Sequence, residues 1–118
     1  MDLTLRTPYE QGNQNQTTSW ADCIAWYEML AQRYPAVLRF EQIGVSDMGV
    51  PIHAGVVSSD GVFDRAAIKA AGRPVFFNNN GIHPGEPEGV DACMALVRDF
   101  CTQPERLAAL GRTVFLFI

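Results

Sequence analysis

The chain has 118 residues, enough for one small domain. With 47% hydrophobic and 19% charged residues it has the balance of a soluble globular protein, and a net charge of −4 gives no basic face for a phosphate backbone. No nucleic-acid partner is therefore expected, and no apolar run is long enough to make a membrane one.

The first residues, "MDLTLRTPYEQGNQNQ", have neither an apolar stretch nor a small-residue cleavage site, so they are not a signal peptide as written. The compartment stays open: cytoplasmic, or periplasmic or secreted if a leader is removed. Residues 1–17 read as an extended, polar lead-in, and residues 18–118 as part of a single domain. "SWADCIAWYEMLAQRYP" carries a helix. Ser19 is its N-cap, Asp22 follows three residues on, and Trp20, Ile24, Tyr27, Leu30 and Ala31 recur at helical spacing. Pro35 stops it. "VLRFEQIGVS" and "PIHAGVVSS" read as two strands joined by the turn "DMGV", a hairpin. His53, on the second strand, reads as a strand histidine satisfied by a neighbour. A short helix over "DRAAIKAAG" closes at Gly72.

"PVFFNN" has no polar alternation, the mark of a strand buried on both faces. A helix from about Pro87 places Val90, Met94, Val97 and Cys101 on one stripe. A short helical stretch, "PERLAALG", then leads to "TVFLFI", a second buried strand. The order predicts an α/β fold: a mixed, mostly parallel sheet flanked by helices. Because the chain stops within its most apolar strand, the domain is expected to be incomplete at its C-terminus. Phe115 to Ile118 are then expected to lack cover and to mediate self-association through that strand. The three cysteines, Cys23, Cys93 and Cys101, form no C-x-x-C pair and read as core thiols.

Between the first buried strand and the following helix lies "NNNGIHPGEPEG". In open α/β sheets, sites gather at the carboxyl ends of strands. Asn80-Gly81 marks a sharp turn. His83 and Glu86 stand three residues apart in a loop stiffened by Pro84 and Pro87, with Glu86 at or near the helix N-cap. An imidazole and a carboxylate are two of the three ligands of a His₂Glu zinc site. The same residues also suit a proline-rich turn with a capping glutamate and a surface histidine, and the spacing alone does not separate the two. Glu88 and Asp91 read as solvated acids of the helix's first turn.

The loop resembles the zinc-binding loop of the M14-type metallocarboxypeptidases, in which a buried strand ends in His-x-x-Glu before a helix. "FEQIGVSDMGVPIHAGVVS" is similar to that family's opening hairpin, and "YEMLAQRYP" to its first helix. The resemblance runs from about residue 9 to the end. It implies a zinc-dependent carboxypeptidase that acts on a peptide or protein C-terminus, with His83 and Glu86 as the first two zinc ligands. Its third ligand, its general base and its substrate-binding arginines are expected beyond Ile118, so no catalytic base is assigned here and the chain alone is expected to be inactive. Many members carry Arg immediately before the ligand Glu, where this chain has Gly85. Aspartoacylase-like and succinylglutamate desuccinylase-like amidohydrolases share the Gly-x-His-x-x-Glu loop and offer an alternative, as does a non-catalytic module of the same fold.

Overall fold

The computed structural model describes residues 5–118. Four strands form one sheet: β1 (Leu38–Val45), β2 (Pro51–Val57), β3 (Val75–Asn78) and β4 (Val114–Phe117), in the order β1-β2-β4-β3. The hairpin is as expected, with Gly49 at φ +75° in its turn and a register shift between Gln42 and Gly44. β2 runs antiparallel to β4, and β4 parallel to β3. The α/β plan with a mixed sheet stands, although in this chain only the β3–β4 pairing is parallel.

Helices α2 (Trp20–Arg33) and α4 (Glu88–Thr102) supply the apolar side chains that meet the sheet, while α3 (Arg65–Ala70) and α5 (Pro104–Ala109) are short connectors. The α2 cap is the predicted one: Ser19 Oγ accepts the Asp22 N–H at 3.2 Å. Its buried stripe is rotated from the predicted one. Trp26, Tyr27 and Leu30 face the core and Trp20 stays exposed, because the chain's start packs on that side and Trp26 Nε1 donates to the Arg6 carbonyl at 3.2 Å. On α4, Met94 and Val97 reach the core as predicted, joined by Cys93.

The lead-in is not extended throughout. Leu5 and Thr7 are buried, and Pro8–Gln11 form a short helix, α1. Thr7 and Glu10 cap it reciprocally, the Thr7 N–H donating to Glu10 Oε2 at 2.8 Å. Arg98 of α4, itself buried, reaches Glu10 Oε2 at 2.6 Å and Asp99 Oδ1 at 3.2 Å. The lead-in is thereby docked through a charge-assisted contact that its polar composition did not announce.

The two strands read as doubly buried differ. β4 is central, paired on both edges, with Val114, Phe115 and Phe117 buried. Self-association through an open edge of β4 therefore does not fit this sheet: neither of its edges is open. Among the described residues the outer side of β3 has no strand partner, and Val75, Phe76 and Phe77 are half exposed. An apolar run without alternation shows that a strand suits burial, not that burial is supplied.

Phe117 also explains a glycine. A Cβ on Gly55 would lie 1.9 Å from Phe117 Cζ, so the ring crosses β2 where only a bare backbone leaves room. The three cysteines are free thiols packed in or against the core, and burial pushes Cys23 and Cys101 up to about 12. They are inert as nucleophiles at neutral pH. Among the described residues no helix is long and apolar enough to cross a membrane.

Candidate metal centre

The site is built by the exit from β3. Asn78, Asn79 and Asn80 end the strand, and two of them hold the exit to β4. The Ile118 N–H donates to the Asn78 carbonyl at 3.1 Å, and the Asn80 N–H and Nδ2 both donate to the Ile118 carbonyl, at 3.1 and 3.0 Å. Asn78 Nδ2 donates to Asn80 Oδ1 at 3.0 Å. Gly81 then turns the chain at φ +61°, a conformation costly for a side chain with a Cβ.

The loop closes on itself through the Glu86 N–H and the His83 carbonyl at 3.1 Å. That turn sets the two side chains face to face, with His83 Nδ1 3.0 Å from Glu86 Oε2. Both are open to solvent, the His83 side chain 72% and the Glu86 side chain 64% exposed. Glu86 does not cap α4. Pro87 occupies the N-cap with no side-chain bond to the helix, and the first helical residue is Glu88, one place later than predicted. The capping-glutamate reading of the loop thus loses its support.

The pair fits a zinc ion in chemistry and in span. Zinc takes one imidazole nitrogen and one carboxylate oxygen readily, and tetrahedral bonds of about 2.0–2.2 Å hold two such donors about 3.3–3.6 Å apart. The 3.0 Å separation seen here is that of a hydrogen bond, and the two donors would part by only a few tenths of an ångström to hold the ion. An ionised carboxylate only accepts, so Nδ1 is the donor in this pairing, and a cation held by both groups would take the place of that proton. Among the described residues no group of three or more His, Cys, Asp and Glu side chains stands together to hold a metal.

The loop borders a cleft of about 520 Å³ lined also by Trp20, Phe40, His53, Phe117 and Ile118. The antiparallel pairing of β2 with β4 brings the start of β2, and hence His53, to the end of β4 where the loop leaves the sheet. His53 is not the satisfied strand histidine that was expected. Its ring stacks on Phe40, 5.3 Å between centroids and 9° between planes, but Nδ1 is buried without a hydrogen-bond partner among the described residues. Sequence alone placed His53 on a strand; only the strand order carries it to this cleft.

Asp91 is a second correction. It is 8% exposed, not a solvated first-turn acid. Thr17 Oγ1 donates to its Oδ2 at 2.8 Å, and the Thr18 N–H and hydroxyl both donate to its Oδ1. A separate hollow of about 610 Å³ beside it, between α1 and the start of α4, contains neither His83 nor Glu86.

Comparison with known proteins decides the family. The model of the zinc carboxypeptidases, peptidase family M14, matches residues 23–118. The chain belongs to the M14 zinc carboxypeptidase family. Among solved structures it is similar to carboxypeptidase A from Helicoverpa armigera, at 16% identity and a TM-score of 0.71 over 87% of this chain and 24% of that one. Thrombin-activatable fibrinolysis inhibitor is similar at 20% identity and a TM-score of 0.65, over 87% of this chain and 25% of that one. The bovine form, in complex with a tick carboxypeptidase inhibitor, gives 20% identity and a TM-score of 0.68 over 86% and 30%. This M14 chain thus spans between about a quarter and a third of the length of those structures, and the likeness to them is one of fold. No curated protein matches it.

Proposed function

We propose that this chain carries the first part of the zinc site of a metallocarboxypeptidase, with His83 and Glu86 as two of its metal ligands and a peptide C-terminus as the substrate of the whole protein. The observation that carries the reading is the His83 Nδ1–Glu86 Oε2 pair, 3.0 Å apart, uncapped, solvent-facing and set at the mouth of a cleft. When bound, zinc supplies Lewis-acid polarisation of a carbonyl and activation of water. The chain's own residues do the holding. Asn80 fixes the start of the loop to β4, Gly81 turns it, and the His83–Glu86 turn keeps both donors on one side. Trp20 and Phe40 form an apolar wall against which a substrate side chain can lie. Membership of the carboxypeptidase family supports this reading over an acyl-amino-acid hydrolase.

Calorimetric titration of zinc into the chain and into His83→Ala and Glu86→Ala tests it. Binding by the parent chain that is lost in both variants supports the assignment; equal binding by all three removes the loop from consideration. Two protein donors leave the remaining zinc positions to water, so the affinity expected is weak. The chain by itself is expected not to hydrolyse peptides, since hydrolysis needs a third ligand and a base that the loop does not supply.

A further inference from the structure

We infer that His53 is a substrate-binding residue of the same cleft, donating from Nε2 to a peptide carbonyl oxygen. The inference rests on the peptide-hydrolase reading for the class of ligand, and on three observations of its own. First, His53 lines the cleft that His83 and Glu86 border. Second, its ring is held in plane by the Phe40 stack and flanked by Trp20, with centroids 6.4 Å apart, so its free edge has a fixed direction. Third, Nδ1 is buried and has no hydrogen-bond partner among the described residues.

The third observation sets the proton. A neutral imidazole has one N–H and one bare nitrogen. Leaving Nδ1 bare keeps the one N–H of the ring for a position where it can be satisfied. We therefore place the proton on Nε2, the ring nitrogen that is not among the buried unpaired atoms, so that His53 offers a donor to the cleft it lines. A donor on a rigid aromatic platform between apolar walls selects an oxygen acceptor attached to an apolar group. A peptide carbonyl with an apolar side chain beside it has that form. His53 is not a metal ligand in this arrangement, because no third donor joins His83 and Glu86 among the described residues.

Long-range ¹H–¹⁵N NMR of the full chain reads the tautomer directly. The chain has two histidines, so His83→Ala leaves His53 alone in the spectrum. The expected state is a protonated Nε2 and a bare Nδ1. Titration with N-acetyl-glycyl-phenylalanine amide is expected to move the Nε2 signal. His53→Phe, which keeps a ring on Phe40, is expected to weaken that peptide by about tenfold, and His53→Gln, which keeps a donor, by no more than about threefold. A proton on Nδ1 overturns the inference, as does equal affinity in His53→Phe or no peptide binding by the parent chain. Zinc is followed in the parent chain, which keeps His83, through the His83 signal. If zinc leaves His83 unmoved while the peptide still shifts His53, the metal reading falls and this one stands. If zinc moves His83 and the peptide leaves His53 unmoved, only the His53 inference is lost.

Discussion

Asp91 and Glu86 are carboxylates a few residues apart at one loop–helix junction, and the fold treats them oppositely. Asp91 is buried and accepts from the hydroxyls of Thr17 and Thr18 and from the Thr18 N–H, so its charge anchors the segment before α2 to α4. Glu86 is exposed, caps no helix and meets only His83 among the side chains described. The sheet shows the same division. Phe117 of β4 is enclosed by Tyr27, Phe40 and Phe115, while Phe77 of β3 is half exposed. A residue whose hydrogen bonds and contacts are complete holds the fold. A polar residue left open beside a cleft is available to a ligand.

Truncation should break the comparison most visibly in the sheet. Phe117→Ala is expected to cost about 3–5 kcal/mol in urea unfolding, because it empties the centre of an aromatic cluster, whereas Phe77→Ala should cost less than about 1 kcal/mol. If the two costs are equal, β3 is covered in solution, and light scattering on Phe77→Asp would show whether a second copy covers it.

The two carboxylates come next. Asp91→Ala is expected to lose about 2 kcal/mol of stability by unpairing the Thr17 and Thr18 donors, with Asp91→Asn losing less. Glu86→Ala should stay within about 0.5 kcal/mol of the parent chain in the same unfolding experiment. Its effect belongs to zinc, with affinity reduced by at least about tenfold by calorimetry, as in His83→Ala. A large stability loss in Glu86→Ala would mean that the loop is structural.

The smallest effect expected is a pH dependence at the docked lead-in. Burial pushes the Glu10 carboxyl up, but the Arg98 contact, the Thr7 N–H and the Arg6 charge outweigh it and hold the group below its ordinary 4.5. Glu10 therefore contributes stability that is fully present above that value and drains away as the pH falls through the lower folded-state value. Urea midpoints followed on acidification should fall more steeply in the parent chain than in Glu10→Gln. Identical slopes would show that the Arg98–Glu10 contact does not act in solution.

Much of this molecule was legible from local pattern. The α2 cap, the hairpin, the Gly72 stop, the turn at Gly81 and the paired His83 and Glu86 all depend on interactions within a few residues, and short-range chemistry determines those wherever the segment lies. The resemblance carried by "GIHPGE" reached the family for the same reason. What local pattern could not carry was position in the sheet and who faces whom. "PVFFNN" and "TVFLFI" have the same character, yet one is an edge and the other the centre, because strand order depends on pairings between residues far apart in the chain. Asp91 read as a solvated acid until Thr17 and Thr18 folded over it, and His53 as a strand residue until β2 met β4. Sequence by itself determined most of the elements, the α2 cap and the candidate ligands. Tertiary structure alone decided which apolar strand is buried, which carboxylate is satisfied and which histidine joins the cleft, because burial and hydrogen-bond partnership are properties of the neighbours a residue acquires.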